Sequence, residues 1–170
     1  ERKGFRYFAE ACNIIKKCNA ELANCVDVVV LGGDSDKASN LLPFPVHVVP
    51  YISDMQEMID TYNAVDIFVT PSLQDNLPNT IVEAMSCGIP CVGFNVGGIP
   101  EMIDHEENGY VAGYKDAEDL AKGIVWSIEE GDRYSRLSSS ARTKAVEMYG
   151  ELAVAQKYVE AYDNSYHSNL

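Results

Sequence analysis

The pattern of apolar and polar positions along the chain changes repeatedly between the helical period and the strand period. Apolar residues recur at helical spacing from Phe5 to Leu22, which predicts a first amphipathic helix. Short, continuous, largely β-branched runs follow, and they alternate with further segments of helical spacing. The predicted strands are 27–31, 46–49, 66–70, 90–94 and 109–112. The later predicted helices are 55–62, 80–87, a short one within 95–103, then 120–128, 134–148 and 152–166.

This alternation predicts the fold class, because strands joined through helices pair in parallel by right-handed crossovers. We expect a doubly wound α/β domain with a mostly parallel sheet and helices on both faces. The run 27–31 is expected to be buried on both of its faces. The second helix is expected to begin after Ser53 or Asp54, either of which can cap it. Met55, Met58, Ile59 and Tyr62 are expected to lie on one face of this helix.

The charge balance excludes two classes of partner. The chain has 13 Lys and Arg against 26 Asp and Glu, a formal net charge of −13. We do not expect so acidic a chain to bind nucleic acid or an anionic membrane surface, because both are negatively charged. The longest uncharged run, 84–100, contains too many Gly and Pro residues for a membrane span, and from its opening residues we expect no signal peptide. The start at Glu1, without Met, predicts a fragment of a longer protein.

The five cysteines do not form the pattern of a disulfide framework, since their number is odd and the chain is not rich in Cys. We expect free thiols in a reducing compartment, and hence a cytoplasmic protein. Cys87 and Cys91 are expected to be buried structural residues. A zinc site at these two positions is the alternative.

Candidate chemistry is expected in the loops that follow the strands, because ligands of open α/β sheets bind at the carboxyl ends of the strands. These loops are 32–36, 50–54, 71–79 and 95–100. Loop 71–79 leads into a helix N-terminus, where the free amides of Asn79 and Thr80 can bind a phosphate. Gly97 and Gly98 similarly permit a close approach of the backbone.

Several motifs together resemble one enzyme family. They are Lys3-Gly4, Glu83-Ala84-Met85, Gly88-Ile-Pro90, Gly97-Gly98-Ile-Pro100-Glu101 and Asn108-Gly109. The chain resembles the retaining glycosyltransferases of family 4, also called group 1, of the bacterial capsule and lipopolysaccharide type. The resemblance covers essentially the whole chain. It implies that residues 1–170 form a single Rossmann-like nucleotide-sugar-binding domain, the C-terminal half of a GT-B fold, preceded by a first strand and an N-terminal acceptor domain.

The resemblance implies roles for three charged residues. Glu83 matches the second glutamate of the family's Glu-x7-Glu motif, which binds the ribose of the donor. Asp75, one methylene shorter, stands at the first glutamate and would face the transferred sugar, while Lys3 matches the lysine that neutralises the donor diphosphate. The lysine's partner arginine would precede Glu1. Each residue has an alternative: Glu83 complements the helix dipole, Asp75 caps a turn, and Lys3 is a solvated charge.

The remaining residues that the resemblance implies in donor binding lie in the four loops. Gly33 and Asp34 follow the first predicted strand, and Tyr51 and Ile52 belong to the loop expected to hold the nucleobase. The others are Asn76, Leu77, Asn79, Thr80, Gly97 and Gly98. Pro78 stands where the family has a glycine, which predicts a stiffer phosphate loop.

The implied activity is retaining transfer of a hexose-type sugar from a nucleotide sugar to a glycan or lipid-linked acceptor in cell-surface polysaccharide synthesis. No cofactor and no metal are expected. The helix at 151–166 would cross toward the N-terminal domain, and Tyr158, Tyr162 and Tyr166 would be core or interface. We expect the full-length enzyme in the cytoplasm, either free or peripheral at the inner face of the membrane, and we expect the fragment alone to be inactive. The alternatives are another GT-B enzyme (a sugar-nucleotide epimerase or a phosphorylase) or a non-catalytic flavodoxin-like module.

Overall fold

A computed structural model describes residues 2–32, 40–129 and 131–167. The strands are β1 (Val28–Leu31), β2 (Val46–Val49), β3 (Phe68–Thr70), β4 (Cys91–Phe94) and β5 (Gly109–Ala112). The helices are α1 (Phe5–Cys18), α2 (Ala20–Ala23), α3 (Met55–Asn63), α4 (Asn79–Ser86), α5 (Ile99–Met102), α6 (Ala117–Ile128), α7 (Gly131–Tyr149) and α8 (Glu151–His167).

Every strand pair in this part of the chain is parallel. β1 pairs with β2, and β3, β4 and β5 form a second sheet with β4 in the middle. Within the described ranges, β1 and β3 each pair along one edge only. Parallel neighbours joined through helices confirm the predicted doubly wound α/β fold.

The helices cover both faces of the sheet, as the side chains of β4 show. Successive residues of a strand point to opposite faces, and all of β4 is buried. Val92 and Phe94 pack in one core with α1 and α6, whereas Cys91 packs in a second core with α3, α4, α5 and α7. β4 is therefore the strand around which both cores are built, which explains its continuous apolar sequence.

One expectation about burial is wrong, and the apolar face of α3 is buried only at one end. In β1 only Val28 is buried and the other three residues are half-buried, so the strand is not buried on both faces. In α3, which Asp54 caps as predicted, Tyr62 is buried, but Met55 is 79% exposed and Ile59 is 36% exposed. The spacing of apolar residues identifies the inward side of an element. It does not fix how much protein lies against that side.

The first predicted helix is interrupted before it reaches Leu22. α1 ends at Cys18, and Asn19 adopts a non-helical conformation at φ −135°. The Asn19 side chain then accepts a hydrogen bond from the Leu22 backbone N–H at 3.1 Å, so it caps α2. An Asn side chain competes with helix continuation in this way because it can satisfy the free amides of a new helix start.

The last helix, α8, has no core role. None of its described side chains is buried, and the exposure is 88% for Leu152, 62% for Tyr158 and 72% for Tyr162. Tyr158 and Tyr162 were expected in the core or at an interface; they do not lie in the core, and the interface stays a prediction. The Tyr166 side chain lies outside the described part. The crossing of this helix toward an N-terminal domain stays a prediction. No described helix combines the length and the apolar character that a membrane crossing requires.

All five cysteines have free thiols, in environments that differ sharply. Cys12 and Cys91 are buried, Cys87 is half-buried, and Cys18 and Cys25 are exposed. Burial raises the pKa of the Cys12 thiol to about 12, and it raises the pKa of Cys91 well above the usual range. The expectation of burial therefore holds for Cys91 and only in part for Cys87.

We expect alkylation of the native protein at pH 8 to follow this order. Cys18 and Cys25 should react first and Cys87 more slowly, because the thiolate is the reactive form and must be accessible. Cys12 and Cys91 should react only after unfolding. Iodoacetamide labelling followed by peptide mass spectrometry measures each site, with a urea-unfolded sample as the control. Labelling of Cys91 as fast as Cys18 would contradict the described packing.

Candidate functional site

The loop between β3 and α4, residues 71–78, is held against the start of the chain. The Leu73 backbone N–H donates to the Arg2 carbonyl at 2.8 Å. Gly4, at φ 62°, packs so closely that a Cβ there would lie 1.8 Å from the Pro71 carbonyl oxygen. Only glycine fits both the left-handed backbone and this contact. The contact fixes the neighbouring Lys3 beside the loop.

Lys3 and Asp75 form an ion pair at this point. The Lys3 Nζ donates to the Asp75 Oδ2 at 3.0 Å, although the two residues are 72 positions apart. The Asp75 side chain is 17% exposed and the Lys3 side chain 66% exposed. The fold therefore brings together the two residues that were predicted to be catalytic, with the carboxylate sheltered and the ammonium group open to solvent.

The loop of Gly97 and Gly98 packs against the same 71–78 loop, backbone on backbone. The Gly98 N–H donates to the Asp75 carbonyl at 3.3 Å. A Cβ on Gly97, which has φ 56°, would lie 1.8 Å from the Asp75 carbonyl oxygen, and one on Gly98 would lie 1.8 Å from that of Asn76. The two glycines thus allow loop 95–98 to support the loop that carries Asp75.

The N-terminus of α4 follows directly and is open. Pro78, at φ −66°, is the N-cap residue, and no side chain caps the helix. Pro78 therefore precedes the first helical turn rather than lying within it. The Asn79 and Thr80 amides belong to the first turn, where backbone N–H groups have no intrahelical acceptor. Asn79 is exposed and Thr80 is half-buried, so the positive end of the helix dipole is accessible.

Glu83 lies one turn further along α4, as its fifth residue. It is not in the first turn, which removes the alternative that it complements the helix dipole. Its Oε2 accepts a hydrogen bond of 2.9 Å from the hydroxyl of Tyr62. Burial and, secondly, the bond to Glu83 raise the pKa of Tyr62 far above its usual range.

Tyr62 and Tyr114 are two residues of this region that sequence reasoning missed. Tyr62 was assigned to the apolar face of α3. Its hydroxyl was the available signal, since a buried tyrosine hydroxyl usually finds a partner. Tyr114, in the turn after β5, donates its hydroxyl to the Leu73 carbonyl at 3.3 Å and ties that turn to loop 71–78. No local pattern indicates this second contact.

The other predicted donor-binding residues lie in two places. Tyr51 is 87% exposed and Ile52 is buried, in the loop that follows β2. Asn76 and Leu77 are exposed in loop 71–78. Gly33 and Asp34 fall outside the described residues. The structure therefore brings Lys3, Asp75 and the backbones of the two loops together, and the predicted role of each residue stays a prediction.

Several of the predicted site residues lie exposed at the surface, among them Lys3, Asn76, Leu77 and Asn79. A groove of about 500 Å³ lies elsewhere, lined mainly by Asn95, Pro100, Ile103, Asp104 and His105, and none of the predicted site residues lines it. Within residues 2–32, 40–129 and 131–167, no group of three or more His, Cys, Asp or Glu side chains is arranged to hold a metal ion. The chemistry available where Lys3 and Asp75 meet, at the loop that leads into α4, is thus anion binding by an ammonium group and free amides, with the Asp75 carboxylate alongside.

Comparison with known proteins shows that the chain matches the model of one protein family. The model of the family described as "Glycosyl transferases group 1" matches residues 1–130. The chain is 30% identical over 162 residues to the N,N'-diacetylbacillosaminyl-diphospho-undecaprenol alpha-1,3-N-acetylgalactosaminyltransferase of Campylobacter jejuni, covering 95% of this chain and 41% of the relative. It is 26% identical over 165 residues to the UDP-Gal:alpha-D-GlcNAc-diphosphoundecaprenol alpha-1,3-galactosyltransferase of Escherichia coli, covering 92% of this chain and 41% of that enzyme.

A solved structure has the same fold. HepE of Anabaena, in complex with UDP-glucose, superposes with a TM-score of 0.76 at 22% identity, covering 96% of this chain and 46% of HepE. The chain thus spans less than half the length of each of these proteins.

Proposed function

The chain belongs to the group 1 glycosyl transferases, and we propose that it is the part of such an enzyme that binds the nucleotide-sugar donor. The observation that carries the proposal is the pairing of Lys3 with Asp75, in the loop that leads directly into the uncapped N-terminus of α4. That arrangement presents a cation and free amides to an anion, with the Asp75 carboxylate beside them for hydroxyl groups. A sugar attached to a diphosphate has this combination of groups.

The diphosphate is the leaving group in such a transfer, and its developing charge needs stabilisation. Lys3 Nζ and the Asn79 and Thr80 amides supply it, because groups held in place by the fold need no reorganisation as charge develops. Lys3 must then divide its hydrogen bonds between Asp75 and the phosphate, which an ammonium group with three donors can do. We propose that the diphosphate is neutralised in this way without a metal ion.

The transferred sugar lies beside Asp75 in this proposal. The carboxylate accepts hydrogen bonds from sugar hydroxyls, and the support of its backbone by Gly97 and Gly98 fixes its position. Asn76 and Leu77 border the same space. The sugar is a hexose type and its configuration is retained, as the resemblance to family 4 implies.

The nucleoside lies on the other side of the diphosphate, with its ribose diol on Glu83 and its base by Tyr51 and Ile52. We propose UDP as the nucleotide, since HepE is bound to UDP-glucose in its solved structure and the Escherichia coli relative is named for UDP-Gal. Gly33 and Asp34 are proposed at the same site on the resemblance alone.

Because Lys3, Asn76 and Asn79 are exposed, we propose that a separate acceptor-binding domain of the full-length enzyme covers the site. Closure of such a cleft excludes water from the reaction. The Campylobacter jejuni and Escherichia coli relatives are named for diphospho-undecaprenol acceptors. We therefore propose a lipid-linked glycan acceptor in cell-surface polysaccharide synthesis, at the cytoplasmic face of the membrane. The family match favours this over the epimerase, phosphorylase and flavodoxin-like alternatives.

The ribose assignment is tested with Glu83→Ala. We expect the full natural protein that contains this chain to bind UDP, and the variant to bind it about tenfold more weakly or worse. The reason is that a hydrogen bond to a charged group contributes about 1.5–3 kcal/mol. Isothermal titration calorimetry measures both dissociation constants.

Glu10→Ala is the matched control, since Glu10 is also an exposed glutamate within a helix but lies in α1. It should leave the UDP affinity within a factor of two of the wild type. Equal UDP dissociation constants for the wild type and for Glu83→Ala would contradict the assignment of Glu83 to the ribose.

A further inference from the structure

Tyr62 is placed where a phenylalanine would satisfy the packing. It lies in the last turn of α3 and is 4% exposed. Its ring packs edge-on against Phe68 of β3, with centroids 5.9 Å apart at 71°. It belongs to the core formed with α4, α5 and α7. None of these contacts uses the hydroxyl group, whose burial costs free energy unless it forms a hydrogen bond.

The hydroxyl group is directed at Glu83. Its O–H donates to Glu83 Oε2 at 2.9 Å, across 21 positions of the chain. Glu83 is itself exposed. A buried, rigid donor therefore holds one oxygen of an exposed carboxylate. Among the described residues, Tyr62 is the side-chain hydrogen-bond partner of Glu83.

We propose that Tyr62 is a positioning residue for the nucleotide: its hydroxyl fixes one Glu83 oxygen so that the other faces the ribose diol. This inference rests on the donor-binding function proposed above and extends it to a residue outside the family motifs. Tyr62 touches no substrate in this assignment and acts through Glu83 alone.

The consequence for binding is preorganisation. A glutamate on a helix surface samples several rotamers, and restricting it on binding costs conformational entropy. The hydrogen bond to Tyr62 already restricts the Glu83 side chain before the nucleotide binds. Part of the entropy cost is therefore not incurred on binding. The phenol is the donor in this bond, and burial and, secondly, Glu83 raise its pKa further above its usual value. The result is a preference for ribonucleotides over nucleotides that lack the diol.

Tyr62→Phe is the variant that tests this, because it removes the hydroxyl and keeps the ring against Phe68. Calorimetry on the full natural protein gives dissociation constants for UDP and for 2',3'-dideoxy-UDP. The wild type should favour UDP. Tyr62→Phe should reduce that preference by about threefold to tenfold, the range for one hydrogen bond, with little change for the dideoxy nucleotide. In a Glu83→Ala background, Tyr62→Phe should change neither constant, since the two residues act as one unit.

The other outcomes distinguish a failure of the Tyr62 positioning role from a failure of the donor-binding function on which it rests. If Glu83→Ala loses the preference for UDP and Tyr62→Phe keeps it in full, positioning by Tyr62 is wrong and donor binding stands. An equal loss of affinity for both nucleotides in Tyr62→Phe would mean a purely structural role and would overturn the inference. If the wild type binds UDP no better than the dideoxy nucleotide, the ribose assignment itself fails, and the positioning role with it.

Discussion

Replacing Lys3 with methionine is expected to lower kcat/KM for sugar transfer by about 10²- to 10³-fold, the usual effect of removing one charge-stabilising group from an active site. Methionine keeps most of the length of the side chain and removes the ammonium group that lies 3.0 Å from Asp75. The leaving diphosphate then loses its cation, and Asp75 loses the partner that offsets its charge beside the phosphate. Both effects are largest in the transition state.

The measurement is UDP release by the full-length enzyme from whichever UDP-sugar it turns over fastest. Lys17→Met is the matched control, because Lys17 is an exposed lysine in the last turn of α1, and its rate should stay within twofold of the wild type. If Lys3→Met kept more than half of the wild-type rate, Lys3 would not stabilise the leaving group. It would then be the solvated charge that was the alternative to a catalytic role. A further Asp75→Asn variant should also be slow, because it keeps the size of the side chain and removes its charge.

Gly98→Ala is expected to lower the free energy of unfolding by about 3 kcal/mol, the upper end of the usual cost of overpacking. The new Cβ would lie 1.8 Å from the Asn76 carbonyl oxygen and 2.9 Å from a methyl group of Leu77. A backbone carbonyl cannot rotate away as a flexible side chain can, so one of the two loops must move. Because loop 71–78 carries Asp75, UDP-sugar turnover should fall as well.

Urea unfolding followed by circular dichroism measures the change in stability. Gly131→Ala is the control, since a Cβ at Gly131 meets no described atom within 4 Å. That exposed substitution should change stability by no more than about 0.5 kcal/mol. Equal unfolding midpoints for Gly98→Ala and Gly131→Ala would show that the two loops do not pack as described.

The secondary structure was largely predictable because its causes are local. The run at β4 and the start of α3 after Asp54 depend on residues a few positions apart. The errors arose where a local signal competes with something else. Asn19 ended a helix that the apolar spacing continued, because its side chain caps the next one. Met55 lies on the apolar face of α3 and is nevertheless exposed, because little described protein lies against that end of the helix.

The candidate site was predictable to the extent that motifs mark it. Asp75 and Glu83 stand at a fixed spacing on one continuous segment, and the two glycines follow soon after. The partners of these residues lie far away along the chain and no motif marks them. Tyr62 was counted as an apolar residue of α3, and Tyr114 gave no signal at all.

The sequence by itself determined the alternation of strands and helices, the parallel fold class and the identity of the charged residues at the site. Those properties follow from side-chain chemistry and spacing over a few residues. Only the tertiary structure decided that Lys3 pairs with Asp75, that Gly98 supports the same loop, and that Tyr62 holds Glu83. These contacts join segments brought together by crossovers between parallel strands, and their geometry depends on the packing of the whole domain.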